Sequence, residues 1–400
     1  MSGRARGATA VIAAIALASI VPAQAGSSAA ARAARFLVER QDAAGAFGKV
    51  STADGVAEAV GALIAAGSAR APVARALDHI ATYGPARARD TAGRAGRIAL
   101  GLLAAGTDPR AHAGTDFVAI IADHYDPITG EFDETNLYSN ALAALAWIAA
   151  GEQFPDRART FMLANECSGG GFGWRTACAS HADVDTTAMA IMLLVRAGGA
   201  EDVVARARAW LAGARLADGG FGQPGQPTNA NSTGLALSAI AALGEDPRAL
   251  PWARGGADPL SALRALQAPD GGVRYLASQD ASDDYATVQA LPGLTGTAWP
   301  ITARAQAPRA TRARDRTSAG PSAEPAAPTD RTGPAAPMSS PSPPTVEGTT
   351  EHREPVVLGT RQQRAAVPPR AAAPFAFAGL ALSVAGGALA ARVVTRRRSS

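Results

Sequence analysis

Four hundred residues suffice for two average domains, but both ends of this chain are set apart by their composition. The net charge of +4 rests on arginine, with Lys49 the only lysine, and no basic stripe interleaved with aromatic residues marks a nucleic-acid surface. A Gly-x-Ser-x-Gly elbow, a His-Glu-x-x-His helix and a Gly-x-x-x-x-Gly-Lys loop are all absent, which removes the motifs of serine hydrolysis, zinc proteolysis and phosphate cradling.

Residues 1–25 read as a secretory signal. Arg4 and Arg6 precede an apolar stretch from Ala8 to Val21, and Ala23-Gln24-Ala25 offers a small-residue cleavage site before Gly26. From Gly26 to Pro300 two kinds of helical segment alternate. One is apolar on nearly all faces and rich in Ala and Gly: VAEAVGALIAAG at 56–67, RAGRIALGLLAAG at 94–106, YSNALAALAWIAAG at 138–151, DTTAMAIMLLVRAGG at 185–199, NSTGLALSAIAALG at 231–244 and DYATVQALPGLTG at 284–296. Their closing glycines, Gly67, Gly106, Gly151, Gly198, Gly244 and Gly296, lie 39 to 52 residues apart, which leaves room for a second helix per unit.

That second helix is visible as ARAARFLVER, PVARALDHIATY, DFVAIIADHY, DRARTFMLANE, DVVARARAWLAGAR and PLSALRALQ, amphipathic at a period of 3.6 with Arg and Asp on one side. Most are followed by a glycine turn, such as GAFG at 45–48, GEF at 130–132, GGGFGW at 169–174 and GGFG at 219–222. Twelve helices in six hairpins, the apolar set inside and the charged set outside, are expected to close into a double ring. The same periodicity also fits an open solenoid.

Cys167 and Cys178, the only cysteines, lie in a region expected to be exported, which favours a local disulfide over a metal pair. Residues 301–373 are dominated by Pro, Ala, Ser, Thr, Arg and Glu, with few large apolar side chains to offset ordering entropy, and are expected to form a disordered stalk. Residues 374–394 are apolar apart from Arg392 and long enough to span a bilayer. Arg396, Arg397 and Arg398 then place the tail, 395–400, on the cytoplasmic side. The reading is a single-pass cell-surface protein with its helical domain outside.

The hairpin period and glycine turns resemble the α/α toroid shared by terpenoid cyclases, protein prenyltransferases and the cobalamin carriers intrinsic factor and transcobalamin. Within HADVDTTAMA at 181–190, Asp183 and Asp185 resemble the Asp-x-Asp-Asp-Thr-Ala motif of class II cyclases, with Asp185 as the acid and Thr186 in place of the third aspartate. The resemblance to the carriers extends to more places. Val184, Asp185, Thr186, Ala188, Met189 and Ala190 match one segment. Asn229, Ser232, Thr233 and Gly234 match a second, and Gln289, Leu291, Pro292 and Leu294 a third. Thr135 and Tyr138 match a Thr-x-x-Tyr pair, while Arg97 stands where the carriers have Gln.

That resemblance implies a membrane-anchored, non-enzymatic protein that binds a cobalamin-like corrinoid through Arg97, Thr135, Tyr138, Asp185, Asn229 and Gln289. His181 would be a cobalt ligand of the bound corrinoid. A corrin is rimmed with amides that both donate and accept, so scattered polar groups converging on one mouth suit it. The carriers also have a covering domain; its role would fall to a separate polypeptide, with a membrane importer as a further partner.

Each of these residues has an ordinary reading as well. Asp185, Asn229 and Thr135 could cap helices, Gln289 and Pro292 could end the last one, Tyr138 could be core, and His181 a solvated loop residue. Two other functions stay open, a structural or protein-interaction ring and a cyclase-like enzyme. An aromatic content of 5% is low for shielding carbocations.

Overall fold

The computed structural model describes residues 28–301 apart from 69 and 180. The expected signal segment, residues 302–373 of the expected stalk, the expected membrane span and the basic tail lie outside the described residues. Among the described residues no helix is long and apolar enough to cross a membrane.

The apolar set becomes α2 (Ala53–Ala65), α4 (Ala92–Ala104), α6 (Leu137–Ala149), α8 (Val184–Ala197), α10 (Ala230–Ala242) and α12 (Asp284–Thr295). The charged set becomes α1 (Ala29–Glu39), α3 (Arg70–Ala88), α5 (Phe117–His124), α7 (Asp156–Ala164), α9 (Glu201–Gly213) and α11 (Pro259–Ala265). Each apolar helix packs on the next, and α12 returns to α2. The ring is therefore closed, and the open solenoid is ruled out. The charged helices lie outside it, with α1 against α12 sealing the seam.

Local sequence explains why each inner helix starts where it does. Thr52, Thr91, Asn136, Asp183, Asn229 and Asp283 precede the six inner helices, and each accepts the backbone N–H three residues on. Such a cap is worth about 1 kcal/mol. The six closing glycines all adopt positive φ, from 66° to 94°. One expectation shifts: the QALPGL segment does not end the last helix, since α12 runs through Pro292 to Thr295.

A second device recurs at the fourth residue of four inner helices. Thr187 Oγ accepts from the backbone N–H of Phe172 at 2.9 Å, Thr233 from Phe221 at 3.0 Å and Thr287 from Val273 at 2.8 Å. Asn140 Oδ1 takes the same part toward Phe132 at 2.7 Å. Each bond ties a glycine turn to the helix that follows, and Phe132, Phe172 and Phe221 are buried beneath.

Small residues let the inner helices touch backbone to backbone. A Cβ on Gly101 of α4 would lie 2.3 Å from the carbonyl oxygen of Ala57 in α2. Alanine favours a helix over glycine by up to about 1 kcal/mol, whereas overpacking a rigid contact costs about 1–3 kcal/mol. Gly101→Ala is therefore expected to destabilise the full-length protein in urea unfolding. Gly213→Ala, at the exposed end of α9 where no atom lies within 4 Å of the added Cβ, should stabilise it. Equal shifts for both variants would contradict the close packing of α2 and α4.

Candidate functional site

All six inner helices begin at the same end of the ring, so residues at equal distances from their caps form layers around the axis. Second in each helix stand Asp54, Gly93, Tyr138, Asp185, Asn231 and Tyr285; sixth stand Glu58, Arg97, Leu142, Met189, Leu235 and Gln289. Residues four apart share a helix face. The second layer surrounds a cavity of about 10 Å³, room for about one water, whose lining includes Glu58, Arg97, Leu142, Met189 and Leu235. Tyr138 bounds it toward the mouth, and Leu100 and Trp299 line it as well. The Trp299 ring enters where α2 has no side chain, since a Cβ on Gly61 would lie 2.2 Å from it.

One half of this layer is an ion-pair network. Arg97 donates to the Tyr285 hydroxyl at 3.0 Å and lies 3.6 Å from both Asp54 and Glu58. Glu58 accepts from Gln289 at 3.2 Å and from Tyr285 at 3.4 Å, while Arg87 pairs with Asp54 at 2.7 Å. Burial raises the Asp54 carboxyl, but Arg97 and Arg87 outweigh it and hold the group below its usual value. Tyr285 is drawn down by Arg97, yet burial and Glu58 push it up to about 12. Burial also raises the Tyr138 hydroxyl, which feels Arg97, Glu58 and Asp185 together. Two arginines face two carboxylates, so the network is neutral.

The other half of the mouth is less satisfied. Asp185 Oδ2 accepts from the Gln223 side chain at 2.7 Å, whereas Asp185 Oδ1 is buried without a hydrogen-bond partner. Asn231 Oδ1, at the same register on the adjoining α10, is buried and equally without one. Burial pushes the Asp185 carboxyl up to about 6, the Asp183 charge adds to the rise, and Ser232 and Gln223 act against it.

The predicted residues divide clearly. Arg97, Tyr138 and Gln289 converge on the axis, with Asp185 close enough to act on Tyr138. Asp185 is not the cap of α8; Asp183 is. Asn229 is 2% exposed, caps α10 by accepting from Ser232 N–H at 2.8 Å, and donates to the Ser232 hydroxyl. Thr135 donates its hydroxyl to Asp133. Neither Asn229 nor Thr135 belongs to the axial layers. His181 is exposed and lines a separate cavity beside the disulfide that joins Cys167 and Cys178. Among the described residues no three His, Cys, Asp or Glu side chains are placed to hold a metal ion.

Asp54, Glu58, Asn231, Tyr285 and Gln223 were not anticipated. Counting two and six residues from each cap would have found the first four. Gln223 lies on the loop before α10, where no periodicity identifies it.

No protein-family model matches the sequence, and no curated protein matches it. Among solved structures, a type II terpene cyclase from Scytonema, solved with merosterolic acid A, superposes with a TM-score of 0.50 at 16% identity, covering 67% of this chain and 95% of that one. Haptocorrin in complex with Cbi gives 0.48 at 15% identity, covering 69% of this chain and 68% of that one. A glycosidase in complex with glucose also gives 0.48 at 15%, covering 67% and 96%. With its closed double ring of helices, the chain has the α/α toroid fold, in common with the Scytonema cyclase.

Proposed function

We propose that this chain is a binding protein that seats a corrinoid across the mouth of the toroid, without catalysing its conversion. The observation that carries the reading is the convergence of Arg97, Tyr138, Asp185 and Gln289, from four different hairpins, at one end of one axis. Among and below them the lumen is filled by the ion-pair network, Leu142, Met189, Leu235 and Trp299, so a broad ligand rests on the mouth rather than inside it. The buried acceptors Asp185 Oδ1 and Asn231 Oδ1 suit the N–H groups of a corrin's amide rim. An exported domain tethered by a C-terminal span, a separate covering protein and an importer to receive the ligand belong to the same proposal.

One observation favours a second reading. An Asp185 carboxyl raised to about 6 keeps part of its population protonated near neutrality, as a general acid requires. The filled lumen weighs against it, because a cyclase needs a chamber for its substrate.

Absorbance titration of the full-length protein with cobalamin tests the first reading. A saturable spectral change is expected, weakened tenfold or more in Asp185→Ala and Arg97→Ala; the absence of saturable binding would remove the proposal and leave a protein-interaction ring. Turnover of an isoprenoid that vanishes in Asp185→Asn would establish the enzyme instead.

Protonation of Asp185 can be followed without any ligand. With a folded value above the unfolded one, the native state holds the extra proton, so this group's contribution to stability falls as pH rises from about 4 through about 6. Asp185→Asn is thus expected to be more stable than the parent at pH 7, with the gain lost by pH 4. A gain that persists at pH 4 in urea unfolding would contradict the raised value.

A further inference from the structure

Beside the mouth, and distinct from the axial layers, lies a cavity of about 620 Å³ bounded by the disulfide hairpin before α8, the end of α9 and the loop before α10. Its size falls within the range of small-molecule sites, roughly 300–1,000 Å³. We infer that this cavity is a binding site for a neutral, flat heteroaromatic ring system.

The walls give the reasons. Trp210 lines the cavity and is backed so closely by the glycine run that a Cβ on Gly171 would come within 2.6 Å of its ring. The indole is therefore held as a fixed flat wall. The Cys167–Cys178 disulfide supplies a polarizable surface, with Val184, Leu216 and Pro224 adding apolar area. Flat rings gain from such surfaces through offset stacking and sulfur contacts.

Charge narrows the class further. His181 is the one ionisable side chain among the lining residues other than the disulfide, so a phosphate or carboxylate ligand would give up hydration without an opposing charge. A purely aliphatic occupant fits no better. It would cover Ser168, His181 and Gln223 and offer them no hydrogen bonds. A ring nitrogen or ring N–H meets both demands.

Gln223 ties the cavity to the rest of the molecule. Its amide nitrogen donates to Asp185 Oδ2 at 2.7 Å, which fixes the side chain and aims one polar group at a known place in the wall.

Titration of the ¹⁵N-labelled full-length protein with quinoline and indole, followed in the indole and side-chain amide regions, tests this site. Saturable shifts are expected at Trp210 Nε1 and at the Gln223 amide, while Trp252 Nε1, held by Glu245 at 2.6 Å, stays unmoved. Cyclohexanol should bind at least tenfold more weakly. Ala214→Phe, which places a ring in the cavity, and Gln223→Leu, of similar volume to the parent, should each weaken binding of the aromatic probes tenfold or more. No saturable shift up to the solubility limit, equal binding of cyclohexanol, or unchanged affinity in Gln223→Leu would each overturn the inference. Cobalamin binding at the mouth can succeed or fail separately, because it is read from the ligand's own absorbance.

Discussion

Backbone contact between inner helices is the constraint on which the rest of this structure depends. Six helices can close a ring tightly only where side chains at the contacts are small, and the Ala and Gly content of the inner set meets that demand. Gly101 against Ala57 and Gly234 against Gln289, each with a would-be Cβ within 2.4 Å of a carbonyl oxygen, show how little space remains. Tight closure leaves a narrow axis, and a narrow axis can be filled by a few side chains. That is why Trp299, an arginine and two carboxylates suffice to occupy it.

A filled axis moves any recognition of a large ligand to the mouth, where the first turns of the inner helices are set by their caps. The caps and the fourth-residue clamps act together there: one fixes where each helix begins, the other fixes the preceding glycine turn against it. Side chains second and sixth from the cap are thereby held in layers, and their partners come from other hairpins. Arg97 illustrates the result, since every group it meets, Asp54, Glu58 and Tyr285, is contributed by another helix.

Much of this was legible in the sequence. The alternation of apolar and charged helices and their glycine stops followed from period and composition, whereas closure of the ring is decided by the packing of α12 on α2, since the same period fits an open solenoid. The register of each inner helix about its own axis did not. Asn229 and Thr135 stood out because they are polar and near a helix start, yet one is a buried cap and the other bonds within its own turn. Thr233, one of the matched residues, and Thr187, which falls between matched ones, both commit their hydroxyls to backbone. An apolar helix buried on all sides carries no hydrophobic stripe to show which face meets the axis, so only the cap position settles it. Asp185 stands in the first turn of α8, and the cap that was the alternative reading of it belongs to Asp183.

The shared direction of the inner helices has an electrostatic consequence. Each carries the equivalent of roughly half a positive charge at its N-terminus, and the ring gathers six such ends at one opening, while the outer helices run the other way at larger radius. A positive potential over the opening accounts for the acids collected there, Asp54, Asp183, Asp185 and Asp283 among them. For Asp185 that potential is not enough: loss of water outweighs it and the carboxyl still titrates high. The toroid thus presents a rim where dipoles favour anions and dehydration disfavours them, a balance that would suit a guest with many polar bonds and no net charge.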